Sequence, residues 1–171
     1  IDGPSMLPCG VCPSCHYLVS RTHPDLQLLA PQSMRIALQW NEDESSLAAG
    51  TKPSKVIRVA DARSAIHWSH QTPSRGRAKV LIIYPAASLN TESANSLLKT
   101  LEEPAPSLRI ILCADDPQAL MPTLRSRCQL WNMHLPPAPD SLKWLQDQGL
   151  PATEASALLK AFGGSPLAAW A

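Results

Sequence analysis

The sequence predicts a parallel α/β domain followed by the beginning of a small helical unit, and three observations carry that expectation. Val80-Leu81-Ile82-Ile83-Tyr84 and Leu108–Ala114 are continuous apolar runs, as a strand requires when a parallel sheet is covered on both faces. Between them Ala94, Leu97, Leu98 and Leu101 recur at i, i+3, i+4 and i+7, so strand, helix and strand make a βαβ unit. After Leu135-Pro136-Pro137-Ala138-Pro139 only helical patterns remain, which divides the chain into 1–137 and 138–171.

The elements follow in order. Tyr17 and Leu18 belong to a short helix that ends near Thr22, and Leu26-Gln27-Leu28-Leu29, bounded by prolines, is a strand. Asn41–Lys55 lacks an apolar period and is a loop. Val59, Ala62, Ala65 and Ile66 mark an amphipathic helix over Val56–Ser69, with Arg58, Asp61 and Arg63 on its other faces. Thr91 is positioned to cap the next helix, which Pro104 and Pro106 stop. Asp116 and Pro117 open a helix expected to reach Arg125, and Cys128–His134 reads as a further strand. Helices over Ser141–Gln148, Thr153–Phe162 and from Ser165 onward complete the chain.

Composition removes several classes of function. At 171 residues, with 44% apolar and 17% charged side chains, the chain can bury a core and is too apolar to be disordered. Its 15 basic and 14 acidic residues nearly cancel, so there is no electrostatic footprint of a stand-alone nucleic-acid binder. No window is long and apolar enough for a membrane span, and no basic region followed by an apolar stretch opens the chain, which makes the cytoplasm the expected location.

Cys9, Cys12 and Cys15 form C-x2-C-x2-C, a spacing that lets thiolates of one loop converge on a soft cation such as zinc, which takes four ligands in structural sites. Three free thiols on a loop is the plain alternative. A ferredoxin-type cluster would require cysteine where Val19 stands, and Cys12-Pro13-Ser14-Cys15-His16 also matches a haem-attachment pattern that leaves Cys9 unexplained. Cys113 and Cys128 sit in or beside apolar runs, where cysteine is usually a small buried hydrophobe. His23, His67, His70 and His134 show no partner pattern.

Glu102 and Glu103 occupy the C-terminal end of a helix, where the macrodipole disfavours negative charge. They are therefore either a solvated face or, with Lys99, part of an interface. Arg125 and Arg127 flank Ser126 at an element junction, as surface charges or as groups aimed across a subunit boundary at a phosphate.

Leu97-Leu98-Lys99-Thr100-Leu101-Glu102-Glu103-Pro104, then an apolar strand leading to Asp116-Pro117, then Thr123-Leu124-Arg125-Ser126-Arg127-Cys128, resembles the bacterial DNA polymerase III clamp-loader subunits of the AAA+ class. Thr22-His23-Pro24-Asp25 fits as well. The resemblance covers nearly the whole chain and is weakest around Asn41–Lys55. It implies an AAA+-type parallel sheet flanked by helices, a zinc-binding insertion at residues 9–15, and the start of a helical lid. In the family the first strand and the phosphate-binding loop precede the zinc module, and no G-x-x-x-x-G-K-[ST] occurs here. That first strand lies centrally in the family's sheet, so without it the apolar edges of its neighbours should be left open. Cys9, Cys12 and Cys15 would be zinc ligands two to four, with the first falling before Ile1.

Where the hydrolysing gamma/tau members end a strand in an Asp-Glu pair that organises Mg²⁺ and the attacking water, this chain has Tyr84-Pro85. It has Ala114-Asp115 in place of a polar threonine region, and Gly164-Ser165-Pro166-Leu167 where the lid of those members carries an arginine. The resemblance thus implies a subunit without ATP chemistry of its own, helping to load the sliding clamp on primed DNA beside gamma/tau and delta subunits. Arg127 would act in trans as an arginine finger, with Ser126 and Cys128 shaping its loop. A hydrolysing gamma/tau-type subunit with its phosphate loop elsewhere, and an independent zinc or DNA adaptor, are the alternatives.

Overall fold

A computed structural model describes residues 8–40, 42, 45, 51–75 and 77–170. The chain divides into two compact units between Gln129 and Leu130. In the first, helix α1 (Pro13–Val19) precedes strand β1 (Leu26–Leu29), then α2 (Gln32–Ala37), α3 (Val59–Ser69), β2 (Lys79–Ile83), α4 (Thr91–Glu102), β3 (Leu108–Leu112) and α5 (Pro122–Arg125). The described strands make one parallel sheet in the order β1-β2-β3, with Leu28 opposite Ile82 and Ile82 opposite Ile111.

One face of that sheet carries Leu29, Leu81, Ile83 and Leu108, and these bury against Ala62 and Ala65 of α3 and Ala94 and Leu97 of α4. Alanine on both helices lets their backbones approach the sheet and each other closely, so the contact is tight without large side chains. The other face is less covered, and Ile111 on β3 is 49% exposed. Asp25, ahead of β1, is buried and accepts from the backbone N–H groups of Ser74 and Arg75, joining the entry to β1 with the turn before β2. Lys79 is buried as well, its Nζ lying 4.0 Å from the centroid of the Trp68 ring.

Several sequence expectations are corrected. The cap of α4 is Asn90, whose side chain accepts from Ser93 N–H at 2.8 Å, so Thr91 is the first helical residue. Asp116 caps only a 3₁₀ turn over Pro117–Ala119, and a separate short helix, α5, starts at Pro122. A proline at 122 has no N–H to extend the earlier turn but suits a first helical position. The expected strand over Cys128–His134 is absent, because its alternating apolar residues meet no pairing edge among the described residues. Leu130, Trp131 and Met133 are exposed there instead. Most of the loop expected at Asn41–Lys55 lies outside the described residues, and Thr51–Lys55 carries no helix or strand.

The second unit consists of α6 (Ala138–Asp147), α7 (Ala152–Ala161) and α8 (Pro166–Trp170). Leu145, Ala155, Leu159 and Ala169 form its core, and Trp144 meets Trp170 edge to face with ring centroids 6.4 Å apart. Gly163 and Gly164 both have positive φ, a backbone that glycine adopts without strain, and end α7 before α8 begins.

Candidate functional site

Three places predicted from the sequence take shape in the first unit. The cysteine loop is the earliest in the chain. Gly10, at φ +74°, turns the backbone between Cys9 and Cys12, and Cys12 then stands at the N-cap of α1 with Pro13 as its first residue. The sulfurs converge as a result. Cys15 Sγ lies 3.8 Å from Cys9 Sγ and 3.6 Å from Cys12 Sγ, and all three ligand atoms fall within 4.8 Å of one another. The set contains no histidine among the described residues.

The thiols are not equivalent. Hydrogen bonds from the backbone at Val11 and then Cys12, with help from the neighbouring thiols, lower Cys9 to about 7. For Cys15 a hydrogen bond from the Gly10 backbone pulls downward, but the Cys12 thiol, burial and the Cys9 thiol together move it up. A loop that donates backbone N–H groups to sulfur favours thiolate, the form that binds metal. Cys113 and Cys128 stand apart from this cluster, and burial pushes the Cys128 thiol up.

The second place is the C-terminal end of β2, where Tyr84 N–H donates to Leu29 O at 3.0 Å and a cis peptide leads to Pro85. Neither residue offers a carboxylate. Tyr84 instead lines a largely apolar hollow with Leu28, Leu38, Trp40, Ile82 and Cys113, and Arg21 at its wall. Asp116, beyond β3, is engaged in capping Gln118 N–H at 2.8 Å.

The third place is the corner between α4 and α5. Arg127 follows α5 and its guanidinium turns back: Nε donates to Glu102 Oε1 at 2.7 Å, Nη2 donates to the same oxygen, and Nη1 donates to Thr123 O at 2.8 Å. Ser126 Oγ donates to Thr123 O at 3.2 Å and receives a longer bond from Arg127 Nη1. Arg125 is tied separately to Gln118 Oε1. Lys99 and Glu103 are exposed and form no ion pair among the described residues. The pairing of Glu102 with Arg127 joins two motif strings that the sequence had shown only as neighbours along the chain. Its one advance sign was a carboxylate at a helix C-terminus, which asks for a cation.

The first unit is thus a parallel α/β unit with an early thiol cluster, a strand end without a carboxylate and an arginine held at a helix end. Residues 2–137 match the family model described as "DNA polymerase III, delta subunit", and the chain belongs to that family. It is 37% identical over 94% of its length to DNA polymerase III subunit delta' of Pseudomonas aeruginosa, of which it covers 44%. It is 34% identical to DNA polymerase III subunit tau of Escherichia coli, but over 74% of this chain and 16% of that protein. Among solved structures it resembles a DNA polymerase III gamma-subunit-related protein from Thermotoga maritima, with a TM-score of 0.55 at 22% identity, covering 81% of this chain and 46% of that one. The chain therefore spans less than half the length of the delta' relative it matches. Among the described residues no helix is long and apolar enough to cross a membrane.

Proposed function

We propose that the chain is the nucleotide-binding-type and lid portion of a non-hydrolysing clamp-loader subunit, working in the cytoplasm with gamma/tau and delta subunits to place the sliding clamp on primed DNA. The observation that carries this is the end of β2. A strand end built from Tyr84 and Pro85 has no carboxylate to hold Mg²⁺ or to orient water, while Arg127 keeps a cation at the corner of α4 and α5. A domain that lacks the groups for its own hydrolysis and keeps an arginine suited to phosphate serves a neighbour's active site. The match to delta' extends over more of the chain than the match to tau, in line with this reading.

Zinc fits the cysteine loop. Sulfurs bound at about 2.3 Å in a tetrahedron lie roughly 3.8 Å apart. Cys15 Sγ stands 3.8 and 3.6 Å from the other two, and all three lie within 4.8 Å of one another. Cys9, Cys12 and Cys15 would hold the ion with a further ligand from outside the triad. The metal's part is structural, pinning the loop to the start of α1.

The test is ATP hydrolysis by the purified full-length subunit alone. No magnesium-dependent turnover is expected. Turnover that disappears on altering Tyr84 or Pro85 would show that this strand end is catalytic and would replace the reading with that of a hydrolysing gamma/tau-type subunit.

A further inference from the structure

The Arg127 guanidinium is occupied on nearly every side. An arginine has five N–H donors and no more. Nε and Nη2 both donate to Glu102 Oε1, and Nη1 donates to Thr123 O and, at 3.4 Å, to Ser126 Oγ. One Nη2 N–H is left. A bidentate grip on a phosphate needs two parallel N–H groups on one edge, so an existing contact has to be given up before Arg127 can engage one.

The contacts differ in what they do to the arginine. Thr123 O and Ser126 Oγ are neutral acceptors on and beside α5 and leave the positive charge intact. Glu102 neutralises that charge and would itself repel a phosphate. Its side chain is 48% exposed and that of Arg127 29% exposed, so water reaches both sides of the pair and can take either partner's place. We propose that Glu102 is a displaceable counter-ion that withholds Arg127 until a neighbouring subunit presents a nucleotide phosphate, and so sets the threshold at which the arginine engages. This rests on the reading of Arg127 as a trans-acting finger.

The surroundings of Glu102 give the exchange two resting points. With Arg127 in place, the carboxylate at the C-terminal end of α4 is compensated against the helix dipole. When Arg127 leaves, Lys99 is three residues back on the same helix, exposed and without an ion pair among the described residues, within reach of the released carboxylate. Release therefore costs little but is not free, which is what a threshold requires.

The experiment uses the full-length subunit assembled with its ATPase partners, clamp and primed DNA, carrying Glu102→Gln, Glu102→Asp, Arg127→Ala or the Glu102→Gln, Arg127→Ala pair. Hydrolysis is measured across ATP concentrations, and gel filtration follows assembly. Glu102→Gln should lower the half-saturating ATP concentration by roughly two- to fivefold, the scale of an exposed ion pair, with kcat held or raised. Glu102→Asp, which keeps the charge on a shorter arm, should fall between wild type and Glu102→Gln, and the gain should vanish when Arg127 is alanine. An unchanged half-saturating concentration overturns the proposal. So does a fall in kcat like that of Arg127→Ala, because Glu102 would then aim the arginine instead of withholding it. If Arg127→Ala hydrolyses at the wild-type rate, the finger reading itself fails and the counter-ion role goes with it.

Discussion

The Asp25 carboxylate accepts the backbone N–H groups of Ser74 at 2.7 Å and Arg75 at 2.8 Å, across 49 and 50 residues of chain. It is 3% exposed, so its carboxylate relies on these two donors in place of water. The entrance to β1 is thereby fixed to the turn that launches β2, and β2 is the strand whose far end carries Tyr84 and Pro85. Asp25→Ala leaves two donors without their acceptor and should destabilise the first unit by about 2–4 kcal/mol, with Asp25→Asn losing less. Urea denaturation followed by tryptophan fluorescence measures it, and a loss under 0.5 kcal/mol would show that the turn holds without the carboxylate.

Asn90 has a parallel role for α4. Its side chain satisfies Ser93 N–H, one of the orphan donors of the first turn, and Ser93 Oγ returns a bond to Asn90 O at 3.0 Å. Asn90→Ala should cost about 1 kcal/mol, whereas Asn90→Asp should retain the cap. Because α4 presents Glu102 to Arg127, hydrogen exchange in the α4 first turn and at the α4 C-terminus can be read separately. Faster exchange confined to the first turn is the expected result.

How much of this was legible in the sequence depends on whether the cause is local. The strands at Val80 and Leu108 and the helix between them were visible because uninterrupted apolar runs and a 3.6-residue period are properties of the segment itself. The Cys128–His134 segment failed as a strand although Leu130 and Trp131 looked suitable, since a strand also needs a partner edge, and no pattern within the segment supplies one. Asn90 and Thr91 are both good caps, and which one served was decided by where the backbone leaves the extended region, at Asn90 with ψ 171°. The cysteine loop was readable from spacing because its ligands lie within seven residues of one another. Glu102 and Arg127 are 25 residues apart and meet only because the chain beyond β3 returns through α5 to the C-terminal end of α4.

The cysteines offer a prediction with an internal control. Cys12→Ser in the full-length subunit should abolish or sharply reduce bound zinc, because removing one thiolate opens the coordination shell. Cys113→Ser and Cys128→Ser should leave metal content unchanged, as both lie outside the cluster. Elemental analysis of the three purified variants decides it. Iron in place of zinc, or equal zinc in Cys12→Ser and wild type, would contradict the assignment.

Arg127 and Arg125 are separated by one serine yet have different surroundings, and that difference sharpens the last prediction. Arg125, the last residue of α5, is tied to Gln118 Oε1 of the preceding 3₁₀ turn, while Arg127 is held at the α4–α5 corner by a carboxylate and a backbone carbonyl. Arginine fingers contribute on the order of 10³ to 10⁵ in rate by stabilising charge on the transferring phosphoryl group. On the proposed trans role, Arg127→Ala in the reconstituted loader should slow the active site that Arg127 serves by about that factor, lowering total turnover by that site's share while assembly stays intact. Arg127→Lys should recover little, because a point charge cannot reproduce the planar fork. Arg125→Ala should have the smaller effect. Turnover and complex formation are measured in parallel with clamp and primed DNA present. Wild-type turnover in a fully assembled Arg127→Ala complex would return Arg127 to the role of a partner for Glu102 and nothing more, and equal losses from both arginines would mean that the loop as a whole, not this guanidinium, serves the neighbour.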